Sequence, residues 1–414
     1  MDLLKINTAG SVDDGKSTLI GRLLYDNGAL TKEQEDLIKK KTEEKGLSDL
    51  DFSVITDGLI AEREQGITID VAHIYFSTPE RKFIIADSPG HVEYTRNMVT
   101  GASNSEVSII LIDARKGLLE QTYRHYFINR LLRQSHILFC INKMDLVDYD
   151  EKVFQNISRQ INNMLEQYPK QDQEIAIIPV SSLKGDNIVY KSDNMPFYKG
   201  KTLSELLHTI GKTQSEHFDF RMDIQQVLHV QNEEFTDYRA YAGRIISGSI
   251  SLGDTIIVLP SGKKSKVQEI RKYKTTYEKA EQGQSIQIRL SDDIDISRGS
   301  MLIKENKDFL INKDILADLV WLDEQKATLS GKYGIQAGAR MGVCKLHEIH
   351  YIIPPEDPSA KFEASEISMN EISEVNIKLA SPLYLDKYED NKMNGAFILI
   401  DMQTNNTVAV GFVK

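Results

Sequence analysis

"GSVDDGKST", Gly10 to Thr18, sets two glycines around four residues and follows the second glycine at once with lysine and serine. The pattern is G-x-x-x-x-G-K-[ST], the form of a loop that leads from a strand into a helix and wraps phosphate oxygens with its backbone N–H groups. Gly10 and Gly15 allow the tight wrap, and Ser11, Val12, Asp13 and Asp14 form the crest between them. Lys16 is placed to reach the outer phosphates, Ser17 to offer a hydroxyl to Mg2+, and Thr18 to complete the binding stretch. The flanks agree, since "LLKINTAG" before the loop reads as an apolar strand and "LIGRLLYD" after it as a helix.

Working outward, "AHIYFST", "KFIIADSPG", "VSIILIDA", "HILFCINK" and "IAIIPVSS" continue a series of short apolar runs separated by longer amphipathic segments. Runs that are apolar on both faces, such as "VSIILIDA", fit a mostly parallel sheet covered by helices on both sides. The expected fold of this part is therefore a doubly wound α/β domain. Ligands in such sheets bind at the carboxyl ends of the strands, and three further motifs fall there. "DSPGH" supplies Asp87, Ser88, Pro89, Gly90 and His91, with Asp87 placed to hold Mg2+ and the Gly90 N–H to meet a γ-phosphate. "NKMD" supplies Asn142, Lys143, Met144 and Asp145, and "SSLKG" begins with Ser181, Ser182 and Leu183.

The base follows from Asp145. Its carboxylate can accept the ring N–H and exocyclic amine of guanine, whereas adenine offers no donors on that edge, so a desolvated carboxylate would disfavour ATP. Lys143 and Leu183 would cover the faces of the base and the Ser182 backbone its carbonyl. The expected cofactors are GTP and Mg2+, with Ser17, Thr68 of "EREQGITID" and Asp87 as the metal set. His91, beside the expected γ-phosphate, is the candidate for orienting the attacking water, with Lys16 as the charge at the phosphates. The charged stretch "LTKEQEDLIKKKTEEKG" reads as a solvated helix, and its place before Thr68 marks it as part of a segment that orders with GTP.

After about residue 218 the pattern changes to alternating strands with Gly-rich turns, such as "YAGRIISGSISLGDTIIVL", as in a small antiparallel barrel or sandwich. A second such block starts near residue 310 with "ILADLVWL". The expected division is 1–215 for the α/β domain, 216–308 for the first β domain and 309–414 for the second. A net charge of -11 argues against a nucleic-acid partner, because phosphate-tracking surfaces show a basic excess. The two cysteines, Cys140 and Cys344, lie in apolar runs and read as buried thiols rather than a disulfide framework. Without a long apolar run or a leader pattern, a cytoplasmic protein with no membrane contact is expected.

The order of these motifs, with "DSPGH" and "GITID" ahead of two β domains, resembles the translation elongation factor family. That resemblance implies that the β domains are barrels. "GSVDDGKSTLIGRLLYD", "DGLIAEREQGITIDVAHIYF", "LIDARKGLLEQT" and "NGAFILIDMQTNNTVAVGF" are similar to the large, GTPase subunits of bacterial sulfate adenylyltransferases. Asp14 stands where translation factors carry histidine. The resemblance implies a heterodimer or higher assembly with a small catalytic subunit that makes adenosine 5'-phosphosulfate and pyrophosphate from ATP and sulfate, driven by GTP hydrolysis here. The alternative is an elongation-factor-like GTPase that delivers an RNA.

Overall fold

The protein's structure is a computed structural model that describes residues 2–44, 46, 49–55, 72–88, 98–99, 102–103, 105–167, 173–211, 219–230, 238–304, 312–329, 331–354 and 360–414. It falls into two compact units, residues 1–213 with 354–360, and residues 214–353 with 361–414.

In the first unit, β1 (Asp2–Ala9), β2 (Ala72–Ser77), β3 (Arg81–Asp87), β4 (Val107–Asp113), β5 (His136–Asn142) and β6 (Glu174–Pro179) form one sheet in the order β2-β3-β1-β4-β5-β6. The pairings β3–β1, β1–β4, β4–β5 and β5–β6 are parallel, and β2 runs antiparallel to β3. Every residue of β4 is buried. Because successive side chains point to opposite faces, a strand buried throughout needs cover on both sides, which the unbroken apolar run "VSIILID" supplies. By contrast β2, at the sheet edge, alternates half-buried and exposed residues before Phe76. The helices of this unit are α1 (Lys16–Asp26), α2 (Lys32–Glu44), α3 (Glu120–Leu131), α4 (Glu151–Gln167) and α5 (Leu203–Thr209). The charged stretch read as a solvated helix is α2, whose buried residues are Ile38 and Thr42.

The second unit holds two closed antiparallel barrels. The first runs Thr255–Leu259, Met301–Lys304, Arg221–Val230, Tyr238–Ser247, Ser285–Leu290 and Lys263–Lys272, the last pairing back to Thr255–Leu259. The second closes in the order Asn312–Trp321, Ile372–Leu383, Arg340–Ile353, Lys332–Ala337, Ala396–Ile400 and Thr407–Val413. Alternation fills each interior: Ile286, Ile288 and Leu290 point into the first barrel, and Tyr333, Ile335 and Ala337 into the second.

The barrels meet through a buried ion pair, Asp223 with Arg340 at 3.1 Å, each side chain at most 4% exposed. Arg340 also donates to the Tyr384 carbonyl and, at 2.6 Å, to Asn394 Oδ1, while Asp223 Oδ2 accepts from the Ala339 N–H. Gly338, at φ +58°, leaves room for this approach: a Cβ there would sit 2.1 Å from Asp223 Oδ2. Asn391 donates to Ser247 Oγ at 3.2 Å across the same joint. The boundaries expected at 215/216 and 308/309 fall in 212–218 and 305–311, outside the described residues.

Candidate nucleotide-binding site

β1 ends at Ala9 and α1 begins at Lys16, so the phosphate-type loop spans the gap between them. Asp13 and Gly15 take positive φ, +68° and +95°, which turns the chain sharply and aims the first helical N–H groups along one direction. Gly15 has no substitute here, because a Cβ would lie 2.5 Å from Asn142 Nδ2 in addition to the backbone strain. Lys16, 8% exposed, folds back to donate to the carbonyls of Gly10 at 2.7 Å and Ser11 at 3.1 Å. Burial pushes its ammonium pKa down, while Asp87, Asp14 and Asp13 pull it up. Asp14 closes the loop by accepting the Ser11 N–H at 2.7 Å; burial raises its carboxyl above the usual value.

Beneath the loop, Asp87 is buried at the end of β3 and accepts the Thr8 hydroxyl at 2.8 Å. Ser88 donates to Asn7 Oδ1 at 2.6 Å. Asp87 lies close enough to Lys16 to act on its charge, and Ser17 is half-buried in the first turn of α1. A carboxylate and a hydroxyl form the all-oxygen donor set that suits Mg2+. Pro89, Gly90, His91 and Thr68 lie outside the described residues.

The residues expected to read the base lie at the ends of β5 and β6. Asn142 works as a tie: its Nδ2 donates to the Asp14 carbonyl at 2.7 Å, and its Oδ1 accepts from the Ser182 N–H and hydroxyl, both at 2.9 Å. Thus the phosphate loop, "NKMD" and "SSLKG" are held by one side chain, though 128 and 40 residues separate its partners from it. Lys143, at φ +64°, lies along the loop and donates to the Asp13 carbonyl. Asp145 is half-buried and accepts the Ser181 hydroxyl at 2.6 Å, which fixes the carboxylate's orientation. Met144 is fully buried and serves as packing under this segment.

Three further residues join the site that motif spacing did not single out. Arg22, one turn and a half into α1, donates to the carbonyls of Leu183 and Ser182 and stacks over Phe52 at 4.6 Å, anchoring the "SSLKG" turn to α1. Asp113, the last residue of β4, gathers Arg115 and Lys143. Burial alone would raise its pKa, but Arg115, bonded through Nε at 3.0 Å and a terminal nitrogen at 2.7 Å, and Lys143 at 3.1 Å hold its carboxyl well below the usual range. Its signal in the sequence was position, a carboxylate closing a strand as Asp87 does. His125 on α3 is 3% exposed, and burial, with the charge of Lys16 nearby, pushes its pKa down to about 3, so it is neutral.

A strand–loop–helix turn of the phosphate-binding type at the carboxyl edge of a mostly parallel sheet, followed along the chain by two barrels, defines a P-loop nucleotide-binding protein of the translation-factor type. The sequence family described as "Elongation factor Tu GTP binding domain" matches residues 1–230, and "GTP-eEF1A C-terminal domain-like" matches residues 314–414. Sulfate adenylyltransferase subunit 1 of Psychromonas ingrahamii is 44% identical over 415 residues, covering 100% of this chain and 87% of that protein. The corresponding subunit of Aliarcobacter butzleri is 44% identical over 417 residues, with 100% and 87% covered, and that of Bacteroides thetaiotaomicron 41% over 423 residues, with 100% and 86% covered. The chain belongs to the sulfate adenylyltransferase subunit 1 family, within the elongation factor Tu-type GTP-binding proteins. Among solved structures, the GTP-bound Saccharomyces cerevisiae Ski7 GTPase-like domain shares the fold at TM-score 0.53 and 21% identity, covering 100% of this chain and 97% of that one.

Proposed function

We propose that this chain is the GTP-hydrolysing subunit of a sulfate adenylyltransferase, and that it spends GTP to drive formation of adenosine 5'-phosphosulfate and pyrophosphate from ATP and sulfate on a small catalytic subunit in the cytoplasm. The observation that carries this reading is the Asn142 tie joining the phosphate loop to the guanine-reading turn, in a chain related over its whole length to sulfate adenylyltransferase subunit 1. The first supports nucleotide specificity, and the second supports the coupled reaction.

In this reading Gly10 to Thr18 hold the phosphates, Lys16 moves from its backbone carbonyls to the phosphate oxygens, and Asp145 with Ser181, Ser182 and Leu183 reads guanine. Ser17, Asp87 and Thr68 hold Mg2+, which when bound neutralises charge between the outer phosphates. His91 orients the attacking water. The catalytic subunit must bind the GTP and GDP states with different affinities, since a partner indifferent to the nucleotide receives no free energy from its hydrolysis.

The test is pyrophosphate release from ATP and sulfate by this chain plus the small subunit, with and without GTP, alongside phosphate release from GTP. Each reaction is expected to accelerate the other. Two rates that ignore one another would overturn the reading, and Thr68→Ala is expected to uncouple them while leaving GDP binding intact.

A further inference from the structure

The first barrel carries a charge that contradicts the rest of the molecule. Between Lys263 and Lys279 lie seven cationic side chains and two carboxylates, in a chain whose net charge is -11. Lys263, Lys264, Lys266, Lys272 and Lys274 are all exposed. Lysines on a sheet edge commonly guard it against pairing with other chains. That explanation does not cover Lys263–Lys272, which pairs with Thr255–Leu259 and Ser285–Leu290 on one course and with Thr275–Tyr277 at its end.

Apolar groups sit among these charges. Tyr273, at φ +55° in the turn, is 87% exposed, Tyr277 44% and Leu252 44%. Tyr277, Leu252, Arg271 and Arg289 border an open pocket of about 390 Å³. The guanidinium carbons of Arg271 and Arg289 lie 5.7 and 5.5 Å from the Tyr238 ring centroid, so the arginines are held in place, and Arg271 also pairs with Glu269 at 2.6 Å. A pocket walled by a tyrosine and a leucine, with arginines fixed beside it and the exposed Lys272 and Lys274 in the turn that joins its Arg271 to its Thr276, has the anatomy of a protein interface: an anchor site beside a charged rim.

We propose that this face of the first barrel is a docking surface for an acidic face of a partner polypeptide, with a side chain of that partner seated between Tyr277 and Arg289. The partner is the catalytic subunit, so the inference rests on the proposed function. A polypeptide fits better than a nucleic acid because Glu269 already neutralises Arg271 inside the pocket beside Tyr277 and Leu252, so the pocket suits an uncharged side chain, while separate carboxylates of the same partner can meet the exposed Lys272 and Lys274.

The experiment compares the wild-type chain, Lys272→Glu/Lys274→Glu, Tyr273→Ala, Tyr277→Ala and a control, Lys332→Glu/Lys345→Glu, placed on the exposed side of the second barrel. Affinity for the purified small subunit is measured by calorimetry at two salt concentrations, and GDP affinity is measured for every variant. The charge reversal is expected to weaken association by about tenfold or more and to flatten its salt dependence. Either tyrosine variant should weaken it about fivefold, while the control and all GDP affinities stay unchanged. Equal affinity and salt dependence in wild type and charge reversal would overturn the inference alone. So would retention of a single-stranded RNA that the charge reversal abolishes while subunit binding is unaffected. A wild-type chain that does not bind the small subunit at all would bring down the proposed function as well.

Discussion

Two of the regions that bury charge among the described residues do it in different ways. At the joint between the barrels, Arg340 faces the opposite charge of Asp223 at 3.1 Å and donates to the Tyr384 carbonyl and Asn394, and Asp223 also takes the Ala339 N–H, so cation and anion are buried together although Arg340 Nε and Asp223 Oδ1 make no hydrogen bond. At the carboxyl edge of the α/β sheet, Lys16 rests on two loop carbonyls, and the Asp14 Oδ1 and Ser11 Oγ atoms are buried without a hydrogen-bond partner. A buried cation facing a buried anion holds two bodies together, whereas a buried ammonium resting on neutral carbonyls has donors that an anionic ligand can take over.

The sharpest way to break the comparison is at the joint. Arg340→Met leaves Asp223 as an unpaired buried carboxylate and should cost about 3–5 kcal/mol of stability in the unit that holds the barrels, and the double variant with Asp223→Leu should recover most of it. Urea unfolding followed through Trp321, buried in the second barrel, measures this. A double variant as unstable as the single one would show that the joint depends on the attraction of the ion pair itself rather than on leaving no buried charge unpaired.

Next in size is Asp145, the carboxylate proposed to read the base. Asp145→Asn should lower GTP affinity by roughly 10²–10³-fold and improve xanthosine triphosphate, since the amide offers a donor where guanine also has one. Equilibrium binding of both nucleotides decides it, and an unchanged preference would remove Asp145 from the site. Asn142→Ala removes three hydrogen bonds at once and should cost about 2–3 kcal/mol, appearing both as lower thermal stability of the α/β unit and as faster GDP release. Stability lost with no change in GDP release would make Asn142 a purely structural tie.

The smallest effect concerns pH. Asp113's carboxyl is held below its unfolded value of about 3.9, so its contribution to stability is present above pH ~4 and is lost as the pH falls toward the folded value. Asp113→Asn should therefore be destabilising by about 1–2 kcal/mol at pH 7, with the difference from wild type shrinking below pH 4. A difference that stays constant from pH 7 to pH 3 would show that hydrogen-bond geometry, rather than charge, carries Asp113's role.

Most of the α/β unit was legible in its chain. The apolar runs marked β1 to β6, and the motifs fell at their carboxyl ends, because a doubly covered parallel strand must be apolar on both faces and leaves its polar residues for the end. The edge strand β2 escaped that logic: its direction against β3 depends on which neighbour it meets, and "AHIYFS" reads the same whether parallel or antiparallel. Barrel strands were visible from alternation, but closure was not, since the pairing of Lys263–Lys272 back onto Thr255–Leu259 is a matter of register over the whole sheet.

The sequence by itself determined the GTP-binding class of the α/β unit. The spacing of Gly10, Gly15, Lys16 and Ser17 and the place of Asp145 after β5 are local patterns, which a few neighbouring residues set. Tertiary structure alone decided what holds those pieces in register: Asn142 spanning three loops, Arg22 fastening the Ser182–Leu183 turn, Asp113 gathering Arg115 and Lys143, and Arg340 locking barrel to barrel. These contacts join residues far apart in the chain, and a long-range contact leaves no spacing to read because its geometry exists only once the sheets have closed.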